Sequence, residues 1–124
     1  MKTCIITIIK NEHNYLAQWI KYHTELGIDT FFIYEDFDSV SHREICNKFP
    51  NVRLYSAAEV FYNAKDVEWA KNLKKQGKGI QHILQSLAFG HIKKLGYDWC
   101  FIIDVDEFIT ISSQDSLKSI LEGF

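Results

Sequence analysis

No stretch of this sequence approaches the roughly 20 consecutive apolar residues of a membrane-spanning helix, so nothing in it reads as a bilayer span. Metal-type spacing is missing as well. The three cysteines, Cys4, Cys46 and Cys100, are odd in number, far apart and outside any CxxC or Cys/His pattern. That argues against a disulfide framework and against a structural zinc site. His13, His23, His82 and His91 share no ligand spacing and are expected to serve helix surfaces or packing. A formal net charge of −2 gives no reason to expect nucleic acid or an acidic membrane as partner. Repeats, low-complexity tracts and linkers are also absent. What remains is one domain of 124 residues, 47% hydrophobic and 15% aromatic, long enough to bury a core.

The first ten residues superficially suggest a secretion signal. Their apolar core is short, is interrupted by Thr7 and runs into Lys10, Asn11 and Glu12 with no small-residue cleavage site. They read instead as a strand, and the expected location is cytoplasmic.

Cys4 to Ile9 forms the first strand in this reading. Asn11 is placed to cap a following helix over residues 13 to 26, in which Leu16, Trp19, Ile20, His23 and Leu26 recur at helical spacing. Gly27 ends it. Thr30 to Tyr34 is a second buried strand that runs into Glu35, Asp36 and Asp38. Ser41 and Glu44 predict a capping box for a short helix through Lys48, and Val52 to Tyr55 a third strand. The region from Ala57 to Gly79 carries Phe61, Tyr62 and Trp69 among lysines, with a short helix expected near 65 to 74. Lys71, Lys74 and Lys75 read as a solvated basic face. Ile80, Ile83, Leu84, Leu87, Ala88 and His91 mark a longer helix that ends near Gly96, with Trp19 and Phe89 expected in the core. Residues 116 to 122 form a last helix.

Between these lies the most telling segment. Trp99 to Ile103 is an apolar run, read as a strand buried on both faces, and it ends in Asp104 and Asp106. Strand alternation would set both acids on one side, roughly 7 Å apart between Cα atoms, with Val105 on the other. A hard divalent cation, Mg²⁺ or Mn²⁺, suits such a pair; equally, a strand can simply end and turn polar. Strands alternating with helices predict a parallel α/β sheet, in which ligands bind outside the carboxyl ends of the strands. Asn11 and Glu12, Glu35 and Asp36, and Asp104 and Asp106 all follow strands at that edge, and so predict a ligand-binding rim.

With these residues in view, the chain resembles the nucleotide-sugar-dependent glycosyltransferases of the GT-A fold, in their family 2-like and family 92-like branch. The resemblance covers nearly the whole chain. It rests on Lys10 to His13 with Trp19 to His23, on Gly27 to Tyr34, on Gln81, and on Phe101 to Phe108 with its DxD aspartates. It implies a Rossmann-like parallel sheet flanked by helices, forming the nucleotide-binding half. It further implies that Asp106 ligates Mn²⁺ or Mg²⁺ on a donor diphosphate, while Asp104 ligates through water, contacts the ribose, or both. Asn11, Glu35, Asp36, Lys78 and Gln81 are the other donor-site positions, with Glu35 placed to accept from a uracil-like imide, so a UDP-sugar is favoured. Phe37 and Asp38 depart from the small polar residues commoner there. The other partner would be a glycan or another acceptor. Such enzymes continue well past the DxD strand, and only Thr110 to Phe124 follow here, so the expected unit is a donor-binding domain over residues 1–124 without the acceptor-binding part. Self-association through uncovered apolar surface is a further expectation. Two other functions fit some of the residues: a transferase-derived module that binds nucleotide or protein without turnover, and a haloacid dehalogenase-type phosphohydrolase with Asp104 as nucleophile and Asp106 as acid/base.

Overall fold

The computed structural model describes residues 1–61 and 63–124; Tyr62, noted among the aromatics above, lies outside the described residues. The chain runs β1 (Thr3–Ile9), α1 (Leu16–Leu26), β2 (Thr30–Glu35), α2 (Arg43–Cys46), β3 (Val52–Ser56), α3 (Ala64–Lys75), α4 (Gln81–Ile92), β4 (Trp99–Ile102) and α5 (Leu117–Glu122). All strand pairs are parallel, in the order β3-β2-β1-β4. The result is the expected α/β, Rossmann-like sheet flanked by helices.

Both faces of the sheet are covered, which explains why β1 and β2 are apolar at nearly every position. Ile5, Ile9, Phe31 and Ile33 point to a core shared with Leu16, Trp19 and Ile20 of α1 and with Leu117 and Leu121 of α5. Cys4, Ile6, Phe32 and Tyr34 point to the opposite face, against Ala88 and Ile92 of α4. Each of the large side chains buried in this way contributes roughly 1.5–3 kcal/mol of hydrophobic stabilisation. No described helix is long and apolar enough to cross a membrane.

The structure corrects four local expectations. The run from Trp99 is an edge strand beside β1 alone, so it is half-buried, and Ile102 is 42% exposed. It stops before the acids, which therefore lie in a turn. There the Glu107 N–H donates to the Asp104 carbonyl (2.9 Å) and the Asp104 N–H to Glu107 Oε1 (2.8 Å). Asn11 does not cap α1. It sits at φ 53°, and its Oδ1 accepts instead from the Val40 N–H (2.9 Å), so the helix begins only at Leu16. The Ser41–Glu44 box does not form either. His42 takes the N-cap position of a one-turn α2, without a side-chain cap bond. Lastly, Phe89 is 44% exposed, because α4 buries the line Leu84, Ala88 and Ile92 and Phe89 lies one step around from it.

The other boundaries hold to within a few residues. Gly27, at φ 118°, ends α1 in the left-handed conformation that favours glycine. Asn63 caps α3 by accepting the Asp66 N–H, and Ser116 caps α5 by accepting the Ser119 N–H.

Candidate functional site

At the carboxyl edge of the sheet, β1 lies between β2, reached through α1, and β4, reached from the opposite face through α4. Such a switch in winding direction leaves a crevice at the strand ends. A cleft of about 240 Å³ occupies it, lined by Ile8, Ile9, Lys10, Glu12, Asp36, Gln81, Asp104, Val105 and Asp106. Three chain segments that each end a strand thus meet at one rim. A second cleft of about 530 Å³ shares Lys10 and is lined by Phe37, Asp38, Lys71, Lys74 and Lys75.

The turn after β4 presents its acids by burying what lies between them. Val105 is 3% exposed and belongs to the core with α1 and α5, which turns the flanking aspartates outward. Gln81, at the first position of α4, donates from Nε2 to Asp104 Oδ1 (3.0 Å). Asp106 is exposed, and neither it nor Asp104 has an ion-pair partner among the described residues.

The acids following β2 behave differently. Asp36 Oδ2 meets Lys74 Nζ at 2.6 Å, while its Oδ1 accepts the Phe37 N–H (2.7 Å). Asp38 bridges Lys74 (2.7 Å) and Lys10 (2.9 Å). Lys74 first, then Lys10, holds the Asp38 carboxyl down at about 2. Burial pulls the Lys74 ammonium downward, but Asp36 and Asp38 outweigh it and leave its pKa raised. The expected solvated lysine face is therefore corrected at Lys74, which α3 inserts between two carboxylates.

Of the sequence-predicted donor residues, the structure brings Asp36, Gln81, Asp104 and Asp106 to the cleft. It places Asn11 against Val40 and Ser39. Glu35 is not among the lining residues: its Oε2 accepts both the backbone N–H (2.6 Å) and the ring Nδ1–H (2.9 Å) of His42. Lys78 lies in the turn after α3, where its N–H donates to the Leu73 carbonyl, and it too is absent from the lining. Sequence reasoning missed His42 and Lys74. Each acts through a partner more than six positions away, and neither forms a local pattern.

Among the described residues, no three His, Cys, Asp or Glu side chains gather as a self-sufficient metal site. The donor chemistry still fits a hard divalent cation. Mg²⁺ in particular is commonly held by one or two carboxylates while ligand phosphates and water complete its shell, and two carboxylates without cationic partners are what this turn offers.

No family model matches the chain, and no solved structure matches it. Glycosyltransferase family 92 proteins do. One from Oryza sativa subsp. japonica is 25% identical across 98% of this chain, and one from Ricinus communis is 29% identical across 94%. One from Arabidopsis thaliana is 26% identical across 98%. The aligned parts are 18%, 19% and 20% of those proteins, so the chain spans about a fifth of the length of the curated relatives it matches. Over nearly its whole length, the chain is similar to a part of these family 92 glycosyltransferases.

Proposed function

We propose that this chain is the nucleotide-sugar-binding part of a glycosyltransferase, in which Asp104 and Asp106 hold a divalent cation, Mn²⁺ or Mg²⁺, against the donor diphosphate. The observation that carries the reading is the meeting of Glu12, Asp36, Asp104 and Asp106 in one cleft at the β1/β4 switch point, in a chain similar to family 92 glycosyltransferases. The clefts support a ligand of this size. The first, at about 240 Å³, is smaller than the roughly 300–1,000 Å³ of common ligand sites, and the adjoining 530 Å³ brings the pair into that range.

When bound, the metal would act as a Lewis acid that offsets charge developing on the departing nucleoside diphosphate. This chain's own residues then do three things. Asp104 and Asp106 fix where the diphosphate lies, so that positioning contributes alongside electrostatics. Gln81 orients the Asp104 carboxylate through its amide. Lys10, shared by the two clefts, contributes positive charge beside the acids. Glu35, on which the uracil reading rested, is engaged by His42, and Asp36 is the acid after β2 that lines the cleft, so UDP is tested beside GDP.

Calorimetric titration of UDP and of GDP, with and without Mn²⁺, tests this on the wild type and on Asp106→Ala. The expected result is metal-dependent UDP binding that disappears in Asp106→Ala. Absence of binding by either nucleotide with any metal would refute the proposal. Vanadate-sensitive phosphatase activity would do so in favour of a dehalogenase-type enzyme.

A further inference from the structure

Four consecutive residues after β1 are fastened to the segment after β2. Lys10 Nζ pairs with Asp38, the Asn11 N–H donates to Ser39 Oγ (3.1 Å), and Asn11 Oδ1 accepts the Val40 N–H (2.9 Å). The Glu12 N–H donates to His42 Nε2 (2.8 Å), and the His13 ring meets the Ser41 carbonyl (2.9 Å). Two of the fastened residues, Lys10 and Glu12, line the candidate cleft. Asn11 is the only described non-glycine residue with positive φ, a conformation that persists where its surroundings hold it.

His42 is the buried centre of this seam, with no exposed surface. Its hydrogen bonds fix its tautomer. Nε2 accepts from a backbone N–H and so carries no proton, which leaves the proton on Nδ1, where it donates to Glu35. His13 stacks on the ring at 4.0 Å between centroids. The charged or titratable residues shown against it are Glu35 at the end of β2, Glu12 through its backbone and His13 through its ring from the β1–α1 loop, and, on α2, Cys46 through its backbone with Arg43 next in sequence.

We propose that His42 is a positioning residue for the cleft: acting through the Glu12 backbone and the Glu35 carboxylate, it sets the rim formed by Lys10 to Glu12 against the end of β2. A proton added at Nε2 would place N–H against N–H and release the Glu12 side of the rim, so the cleft is assembled only while Nε2 is free of a proton. The rim arrangement stands on the hydrogen bonds alone; its effect on nucleotide affinity rests on the function proposed above.

The test combines two readouts on the wild type, His42→Gln and His42→Ala. In ¹⁵N NMR recorded as the pH is lowered from about 7.5, the wild-type Glu12 amide should shift together with the His42 ring signals. In His42→Gln, whose side-chain oxygen can accept the Glu12 N–H without titrating, the amide should stay constant. UDP–Mn²⁺ affinity should fall with acid several-fold more in the wild type than in His42→Gln, and should be weaker in His42→Ala at every pH. A Glu12 amide that ignores the His42 titration overturns the proposal, as does equal acid sensitivity in wild type and His42→Gln. If the amide follows His42 while UDP never binds, the positioning of the rim stands and only the nucleotide reading fails.

Discussion

The indole N–H of Trp19 donates to the carbonyl oxygen of Glu107, 88 positions away in sequence, at 2.8 Å. Two neighbours on the same face of α1 extend this grip. Tyr22 Oη donates to the Ile109 carbonyl (2.7 Å), and His23 Nε2 accepts the Ile109 N–H (3.1 Å). Positions 19, 22 and 23 share a helix face through three- and four-residue spacing. The segment just past Asp104 and Asp106 is therefore held by a helix belonging to the main core, and a loop carrying two acids keeps one geometry.

Replacing Trp19 by Phe keeps an aromatic ring in the core and removes the donor. The lost hydrogen bond should cost about 1 kcal/mol, with a further penalty for the smaller ring. Urea denaturation gives the stability change. Calorimetry should show weaker UDP–Mn²⁺ binding, because the acid-bearing turn is then less constrained.

His23 predicts a pH dependence of stability. Burial lowers its pKa, only partly opposed by the hydrogen bond to the Trp19 carbonyl. Above the ordinary histidine value of about 6.5, folded and unfolded forms are both neutral there and stability does not change. As pH falls below it, the unfolded chain takes up the proton first, so stability declines until the folded pKa is passed. Urea midpoints measured at about pH 7.5 and at about pH 5.5 should differ in the wild type, and His23→Gln should shrink the difference.

Thr7 offers the opposite sign. Its hydroxyl is buried in β1 without a hydrogen-bond partner among the described residues. Thr7→Val keeps the β-branched shape and removes an unsatisfied polar atom, a change worth about 1 kcal/mol in favour of the fold. A thermal melt should show a higher midpoint.

Asp38 reports on the Lys74 clamp. In the wild type, carboxyl ¹³C titration should place it near 2. In Lys74→Ala it should move up toward the usual aspartate range, with Lys10 alone left to hold it down.

Much of this fold was legible in the sequence because core and period coincide in β1, β2 and α1. Apolar runs mark strands covered on both faces, and Leu16, Trp19, Ile20 and His23 repeat at helical spacing. The burial of β4 was not legible, since Trp99 to Ile103 has the composition of a central strand and only topology makes it an edge. Asp104, Asp106 and Asp36 could be placed at the rim because they follow strands, whereas Gln81 was placed there only by the resemblance. The diversion of Glu35 to His42, and of Lys74 to Asp36 and Asp38, could not be read. Those pairings depend on how the β2–α2 connection and α3 fold at the rim, which no residue spacing encodes.

The most direct test of the account is amide chemical-shift mapping of the ¹⁵N-labelled chain with UDP and Mg²⁺. Shifts concentrated at residues 8–12, Asp36, Gln81 and 104–107, and lost in Asp106→Ala, are the predicted result. Shifts that leave these positions unmoved, or that persist unchanged in Asp106→Ala, would contradict a metal-dependent nucleotide site at the DxD turn.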